Sequence, residues 1–419
     1  MDFENHPCFS AEARHKTARI HLPVAPKCNV QCNFCNRKYD CVNESRPGVC
    51  SAILSPEQSV DYLSKVMETI GNVSVVGIAG PGDPFANPEA TLRTMELTRA
   101  RYPDMILCVA TNGLGLPEYV DRVAKIGASH VTITLNAVDP AIGAEIYAWV
   151  RCGPHAYRGI DGARVLLERQ VESIRALKRA GITVKINTVV IPGVNDAHVA
   201  DVARYAAALG ADVQNCIPLM HVENTAFAGT PTPDAAAMMA IRLDAGQSIK
   251  QMSHCARCRA DAAGLVGDEN SPEVMRLLSQ SARIGPNGAR TRVAVASREG
   301  LLVNQHLGEA TGLWVFEMVS DEIRLITRRP TPAPGGGDAR WAALAESIPD
   351  CFAVLAGGCG PAPLRVLAER GIAALAMEGM IMDGLKPLFS GDEIPRILTG
   401  SAGTCGAGIS CGGTGAGCA

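Results

Sequence analysis

The stretch Cys28-Asn29-Val30-Gln31-Cys32-Asn33-Phe34-Cys35 carries three cysteines at C-x3-C-x2-C spacing. An apolar run at 20–24 precedes it and predicts a β-strand, so the cysteines belong to the loop that follows this strand. Three thiolates on one loop can hold three irons of a 4Fe-4S cubane and leave the fourth iron open to a small molecule. A zinc knuckle that uses Cys41 as its fourth ligand is the alternative.

Apolar runs alternate with amphipathic stretches from residue 20 to about residue 217. This alternation predicts βα units with a parallel sheet. We predict strands at 20–24, 73–79, 105–110, 130–135, 182–190 and 212–217, and helices at 57–70, 88–101, 117–126, 163–180 and 196–209. Six consecutive right-handed units curl toward a partial (β/α)6 barrel of the TIM type, in which ligands bind at the carboxyl ends of the strands.

Composition and charge exclude several classes of protein. The chain has 419 residues, with 39 Lys and Arg against 42 Asp and Glu, and no basic block that would neutralise a run of phosphates. Nucleic acid is therefore not an expected partner. Because neither a membrane-spanning apolar run nor an export signal is visible, we expect a cytoplasmic protein. Its sixteen cysteines should then stay reduced and available to soft metals.

The pattern of the chain changes after residue 280. We predict a first domain at 1–280, a linker rich in Gly, Pro and Asn at 281–290, and a second α/β domain at 291–400. The second domain has predicted strands at 291–297, 313–319, 323–328, 351–356 and 372–377, and helices at 339–347 and 362–370. Residues 401–419 contain Gly and Cys and no charged residue, which predicts a disordered tail.

The cysteine spacing, its position after the first strand and the βα repeat together resemble the radical S-adenosylmethionine (SAM) superfamily. The resemblance implies a 4Fe-4S cluster on Cys28, Cys32 and Cys35, with SAM chelated by the open iron. Reductive cleavage of SAM then yields a 5′-deoxyadenosyl radical. The stretch 80–84 resembles the GGEP-type motif of the superfamily, with departures at Pro81 and Asp83.

Polar and apolar residues at the predicted strand ends are candidates for SAM binding. Glycines after the second strand would leave backbone groups open to the amino end of a ligand, and asparagines could bond the methionine and ribose parts. An apolar strand end could stack on adenine. The candidates are Gly80, Gly82, Asp83, Asn112, Asn136, Asn187, Ile217 and Leu219. Ordinary turn formation and core packing are the alternatives for these residues.

Residues 6–260 resemble a more specific family, the nitrogenase iron-molybdenum cofactor biosynthesis (NifB) family. The matching stretches are 6–8, 21–26, 28–35, 36–41, 43–48, 79–84, 108–113, 132–140, 190–196 and 255–258. The resemblance implies that two further 4Fe-4S clusters are substrates. They are fused into an eight-iron core around a carbide that comes from the methyl group of SAM.

The same resemblance implies ligands for both substrate clusters. One cluster would be held by Cys8, His21 and Cys108, and the other by Cys41, Cys255 and Cys258. For His21, the alternative is a hydrogen-bonded core histidine. Glu44 and Arg46 would order the loop or assist proton movement, with a surface ion pair as the alternative. Three cysteines lie outside the matching motifs and receive no role: Cys50, Cys152 and Cys216.

The second domain resembles the NifX and NafY-like cofactor carriers at 292–296, 304–308 and 357–360. This resemblance implies a ribonuclease H-like fold and a site for an iron-sulfur cofactor, with His306 as a candidate ligand. Cys405, Cys411 and Cys418 of the tail could pass clusters, or the tail could be inert. The implied partners are iron-sulfur cluster donors, an electron donor and downstream carrier or maturation proteins of nitrogenase. Two other readings stay open: another radical SAM enzyme with auxiliary clusters, and a non-catalytic iron-sulfur scaffold.

Overall fold

A computed structural model describes residues 6–8, 12–45, 48, 50, 52–252, 255, 258–267, 270–285, 288–319, 322–390, 394 and 398–399. The chain divides into two compact units. The first unit contains residues 1–51 and 59–274, and the second contains residues 52–58 and 275–419. The tail at 401–419 and the site candidate Arg46 lie outside the described residues.

The first unit is built on one curved sheet of seven strands. Its strand order is β10-β1-β3-β4-β5-β8-β9, in which only β10 runs antiparallel to its neighbour. The strands are β1 Ala18–His21, β3 Val73–Ile78, β4 Ile106–Thr111, β5 His130–Thr134, β8 Thr183–Val190, β9 Val213–Pro218 and β10 Ala263–Gly264. The six parallel strands lie at the predicted places, so the predicted partial barrel is confirmed.

Helices connect the parallel strands, as the alternating pattern predicts. The helices up to residue 282 are α1 Pro56–Thr69, α2 Pro88–Arg101, α3 Val120–Ile126, α4 Pro140–Ile146, α5 Gly159–Arg179, α6 Val199–Ala208, α7 Ala235–Ala245 and α8 Pro272–Ala282. Short 3-10 turns lie at Ala13–His15, Pro84–Ala86, Pro117–Tyr119 and Asp196–His198. The sequence pattern did not predict α4, α7 or α8.

The curvature of the sheet can be seen from the residues that lie on its concave face. Each of the six parallel strands contributes a residue to the lining of one cavity. These residues are His21, Gly77, Cys108, Thr132, Lys185 and Asn215. A flat sheet could not surround a single cavity in this way. The sheet therefore forms the wall of an incomplete barrel whose interior is open to a ligand.

A second, antiparallel sheet of the first unit was not predicted. It consists of β2 Val30–Cys32, β6 Tyr147–Cys152 and β7 His155–Tyr157, in the order β2-β6-β7. Because β2 is part of the cysteine stretch, its pairing with β6 fixes the backbone of that loop. The pairs are Val30 with Val150, Gln31 with Trp149 and Cys32 with Tyr147.

The second unit contains a mixed sheet in the order β16-β15-β13-β17-β18. The strands from residue 283 onward are β11 Ile284–Gly285, β12 Gly288–Ala289, β13 Arg292–Val295, β14 Leu302–Val303, β15 Gly312–Val319, β16 Glu322–Pro330, β17 Cys351–Ala356, β18 Ala373–Ala376 and β19 Gly379–Met380. Its helices are α9 Asp338–Ser347, α10 Pro361–Ala368 and α11 Ile381–Ser390. An antiparallel hairpin followed by parallel βα units is the predicted ribonuclease H-like arrangement.

Apolar side chains cover both faces of this sheet. Trp341, 1% exposed, packs on one face, while Phe352 and Leu385 belong to the cluster on the other face. The stretch predicted as a linker, 281–290, holds the end of α8 and the small hairpin of β11 and β12. Within the part of the chain that the structure covers, no helix has the length and apolar character needed to cross a membrane.

Candidate active site

The cysteine stretch is held by hydrogen bonds as well as by the β2–β6 pairing. The side-chain amide of Gln31 donates to the carbonyl oxygens of Cys35, at 2.6 Å, and Cys32, at 3.1 Å. The backbone N–H of Cys35 donates to the Cys32 carbonyl at 3.0 Å. These bonds fold the residues between the thiols into a tight turn, so that three cysteines are presented from one rigid loop.

The surroundings of these thiols fit a cluster whose iron ions bring positive charge close to the sulfur atoms. Burial raises the pKa of Cys28 to about 11 and that of Cys32 well above its usual range, and the neighbouring cysteines add to the shift at Cys32. Thiolates at this place therefore need positive charge close to them. Iron supplies such charge, and the Arg37 guanidinium lowers the pKa of both Cys28 and Cys35. The residues present thus suit a 4Fe-4S cluster.

Cys41 lies next to the cysteine loop. The side-chain amide of Asn43 donates to the sulfurs of both Cys32 and Cys41, each at 3.7 Å. Cys41 is absent from the cavity lining, whereas the four residues that follow it, 42–45, are part of that lining. The structure therefore places Cys41 between the cysteine loop and the cavity.

No three His, Cys, Asp or Glu side chains in the described part of the chain are grouped closely enough to hold a single metal ion. A tetrahedral zinc site needs four ligands around one point. A cubane makes a different demand, since each of its irons takes its own ligand.

The loop after β3 packs against the chain that leads into Cys28. The N–H of Gly82 donates to the Ala25 carbonyl at 2.6 Å, and a Cβ at Gly82 would lie 2.1 Å from the Lys27 carbonyl oxygen. Only glycine fits there. The N–H of Gly82 is thus bonded within the protein, and the role of Gly82 as a SAM-binding candidate stays a prediction. Gly80, with φ of +151°, accepts a hydrogen bond from the Ala25 N–H at 3.3 Å.

Asp83 ties this loop to the end of β4. Its carboxylate accepts hydrogen bonds from the Thr111 hydroxyl at 2.9 Å, the Asn112 N–H at 2.6 Å and the Phe85 N–H at 2.9 Å. Burial raises the pKa of Asp83, while these hydrogen bonds lower it. The side chain of Asn112 in turn donates to Asn29 Oδ1 at 2.7 Å and lies 3.8 Å from the Cys28 sulfur. Asp83 thus positions a residue that touches the cysteine loop.

Replacing Asp83 by alanine should lower the free energy of unfolding by about 2–4 kcal/mol, because three buried donors lose their acceptor. Urea denaturation of the apo-protein measures this change. Asp196→Ala is the matched control, since Asp196 accepts one exposed bond, from the Gly193 N–H. An Asp83→Ala variant as stable as the Asp196→Ala variant would contradict the positioning role.

The cavity of the barrel contains about 740 Å³ of empty space, part of it open to solvent. Five of the six residues implied as ligands of the substrate clusters line it, and they come from four separate parts of the chain. These residues are Cys8, His21, Cys108, Cys255 and Cys258. Burial raises the pKa of Cys8 to about 11 and that of Cys108 to about 12, so these thiols also need a nearby cation to ionise.

His21 is oriented by the segment that carries Cys258. Its Nδ1 lies 3.0 Å from the carbonyl oxygen of Arg259, which can only accept a hydrogen bond, so Nδ1 carries the proton. Nε2 is then the nitrogen with a free lone pair. Burial lowers the pKa of His21 to about 4, so the ring is neutral near pH 7 and suited to bind a metal. Arg19 donates to the Cys258 sulfur at 3.0 Å and holds the same segment.

Glu44 reaches the cavity from the loop after Cys41. Its carboxyl group is bonded to the Thr134 hydroxyl at 2.5 Å and to the Asn187 side-chain amide at 2.9 Å. Burial raises the pKa of Glu44 to about 8, although both hydrogen bonds lower it. Glu44 is therefore mostly protonated at neutral pH and can donate a proton inside the cavity.

The other strand-end candidates divide between the cavity and the core. Asn187 and Ile217 line the cavity. Asn136 is fully buried and bonds Asn43 and the Val189 N–H, which joins β5 to β8. Leu219 packs in the hydrophobic cluster around Phe34 and is not part of the cavity lining.

The cysteines without an assigned role lie away from the cavity. Cys216 is buried with its thiol 3.3 Å from Gln251 Oε1, Cys152 lies on β6, and the Cys50 N–H donates to Asp40. The sequence analysis missed Lys185, which lines the cavity. A signal was present, because residues two positions apart in a strand share a face, so Lys185 must lie on the same face as Asn187.

In the second unit, His306 pairs with Gly358 in an isolated β-bridge. A Cβ at Gly358 would lie 2.6 Å from the His306 ring, so glycine is required for this close approach. His306 Nδ1 accepts a hydrogen bond from the Gly308 N–H at 3.1 Å. The ring is thus fixed beside the turn that contains Cys359.

Comparisons with known proteins agree with both units. Residues 22–206 match the model of the radical SAM superfamily, and residues 289–391 match the model described as dinitrogenase iron-molybdenum cofactor. The FeMo cofactor biosynthesis protein NifB of Chlorobaculum tepidum is 48% identical, over 100% of this chain and 99% of that protein. The protein of the same name from Klebsiella pneumoniae is 42% identical, over 88% of this chain and 86% of that protein.

Proposed function

This chain belongs to the family of the FeMo cofactor biosynthesis protein NifB, and from this premise we propose that it fuses two 4Fe-4S clusters with insertion of a carbide derived from SAM. The product would be the eight-iron precursor of the nitrogenase cofactor. The observation that carries the proposal is the single cavity lined by Cys8, His21, Cys108, Cys255 and Cys258. Soft ligands of this kind suit iron-sulfur clusters, and a radical SAM enzyme without auxiliary clusters needs none around its cavity.

Cys28, Cys32 and Cys35 would hold the resident 4Fe-4S cluster, which supplies the electron that cleaves SAM into methionine and a 5′-deoxyadenosyl radical. The protein contributes position and the exclusion of water. Asp83 and Asn112 fix the loop beside Cys28. Gly80, Gly82, Asn136, Asn187, Ile217 and Leu219 remain candidates for contacts to SAM, directly or through the loops they order.

The substrate clusters would occupy two ligand sets. Cys8, His21 and Cys108 would hold one cluster. Cys255 and Cys258 would hold the other, with Cys41 reaching it from the junction between the cysteine loop and the cavity. A neutral imidazole is more easily displaced than a thiolate, which suits a cluster that must leave after the reaction. Arg46, two residues beyond Glu44, would assist proton movement.

Glu44 would donate a proton in this cavity, so the rate of product formation should fall as the pH rises through about 8. Glu44→Gln should lower the rate and remove this inflection, because an amide does not titrate. The measurement is product formation against pH on both sides of 8. An unchanged inflection in Glu44→Gln would assign the titration to another group.

The raised pKa of Glu44 also predicts how the free energy of unfolding depends on pH. The folded protein holds the Glu44 proton to about pH 8, whereas the unfolded chain loses it near 4.5. The folded state therefore binds more protons between these values, and the free energy of unfolding should decrease as the pH rises. Glu44→Gln apo-protein should lack this component of the decrease.

The second unit would hold the product before it passes to a downstream carrier or maturation protein of nitrogenase. His306 is the ligand we propose there, since its ring is fixed at a turn between glycines. Cluster donors and an electron donor would be the upstream partners.

An anaerobic reaction of cluster-loaded protein with SAM and a strong reductant tests the proposal. Chromatography should show S-adenosylhomocysteine and 5′-deoxyadenosine in comparable amounts, because methyl transfer and hydrogen abstraction are coupled in carbide formation. Formation of 5′-deoxyadenosine alone would indicate a radical SAM enzyme of another kind. Formation of neither nucleoside would indicate a scaffold that only binds clusters.

A further inference from the structure

Lys185 places a positive charge inside the barrel. It is the third residue of β8, where it pairs with Thr132 of β5 on one side and Val213 of β9 on the other. The side chain lines the cavity, and the residue is only 9% exposed. Among the described residues of the lining it is the only lysine or arginine. A cation in the middle of a parallel sheet costs free energy unless negative charge faces it.

The groups that act on Lys185 come from both ligand sets, and their thiols would carry negative charge once they bind iron. Burial lowers the pKa of Lys185, but Cys8, Cys255, Glu44 and Cys108 raise it, and the net pKa lies above the ordinary value. Cys8 and Cys108 belong to the first ligand set, whereas Cys255 belongs to the second. Because Lys185 lines the same cavity as these three cysteines, its ammonium group would interact electrostatically with both sets once their thiols are ionised.

The two substrate clusters present an electrostatic problem that such a charge would solve. A cluster held by thiolates carries net negative charge, and two such clusters in one low-dielectric cavity repel each other. Fusion requires them to approach closely. Hydrogen-bond donors and charge near the sulfur atoms are the means by which a protein stabilises an anionic cluster.

We propose that Lys185 lies between the two substrate clusters and screens their repulsion, so that both can occupy the cavity together. This inference rests on the proposed function. Lys185 acts here as a positioning residue, since it neither ligates iron nor transfers a group. Loss of its charge should weaken uptake of the second cluster by about tenfold, while uptake of either cluster alone should change little.

The test is anaerobic reconstitution with ferrous iron and sulfide, without SAM, followed by iron and sulfide analysis and electron paramagnetic resonance. Lys185→Met is compared with Lys185→Arg, which keeps the charge. Each is made in the full-length protein and in two backgrounds that retain one ligand set, Cys255→Ala/Cys258→Ala and Cys8→Ala/Cys108→Ala. The cluster on Cys28, Cys32 and Cys35 reports folding in every variant.

The expected result is specific to simultaneous occupancy. Lys185→Met should lose the second substrate cluster when both ligand sets are intact, load normally in each single-set background, and be rescued by Lys185→Arg. Equal loading of both sets by Lys185→Met and the unmodified protein would overturn the inference and leave the proposed function standing. Equal losses in the single-set backgrounds would also overturn it, because they indicate a role within one site. If the unmodified protein loads no cluster beyond the one on Cys28, Cys32 and Cys35, the proposed function itself fails.

Discussion

Replacement of Cys28, Cys32 and Cys35 by alanine should reduce 5′-deoxyadenosine formation to the level of a protein-free control. These three thiols are the proposed cluster ligands, on the rigid loop that β2 and the Gln31 hydrogen bonds hold in place. Without them the resident cluster would have no protein ligands, and the proposed source of the electron that cleaves SAM would be lost. The measurement is chromatography of the nucleosides after reaction with SAM and reductant.

Cys152→Ala is the matched control for this triple variant. Cys152 lies on β6, the strand that pairs with β2, and is partly exposed like Cys28 and Cys35. Its replacement should leave SAM cleavage intact. The cavity of the triple variant should still bind clusters during reconstitution, since Cys8, His21 and Cys108 are unchanged. Continued formation of 5′-deoxyadenosine by the triple variant would mean that SAM is cleaved elsewhere.

Replacement of Cys108 by alanine should abolish formation of the fused cluster and uncouple SAM cleavage from it. The Cys108 sulfur lies beside His21 on the cavity wall, and both are 3.0 Å from the point where a Cβ on Gly77 would be. The loss of one of three ligands should prevent stable binding of that substrate cluster. SAM cleavage at the cluster proposed on Cys28, Cys32 and Cys35 should continue. The amount of 5′-deoxyadenosine formed should then exceed the amount of S-adenosylhomocysteine.

Cys216→Ala is the control for Cys108→Ala, because it removes a thiol from another strand of the same barrel. Cys216 is buried on β9 and its thiol faces Gln251 outside the cavity lining. The Cys216→Ala variant should have the same iron content as the unmodified protein and should form both nucleosides in the same amounts. A Cys108→Ala variant with normal iron content and a normal ratio of the two nucleosides would remove Cys108 from the ligand set.

Much of the fold could be predicted from local patterns. The six parallel strands lie where the apolar runs predict them, and β17 spans the predicted 351–356 without change. The sheet β2-β6-β7 was missed, because the three residues of β2 give no periodic signal and their partner strand lies far along the chain. The bond from the Gly82 N–H to the Ala25 carbonyl was missed as well, because it joins two segments that are distant in the sequence.

The sequence alone was enough to establish the cysteine loop, the βα order and the family, because spacing and periodicity are properties of neighbouring residues. Only the tertiary structure brings Cys8, Cys108 and Cys255 to one cavity, places Cys41 beside Cys32 and puts Lys185 on the wall of that same cavity. The physical reason is that side chains converge through the curvature of the sheet and the pairing of distant strands. Both depend on contacts between segments that no local pattern specifies.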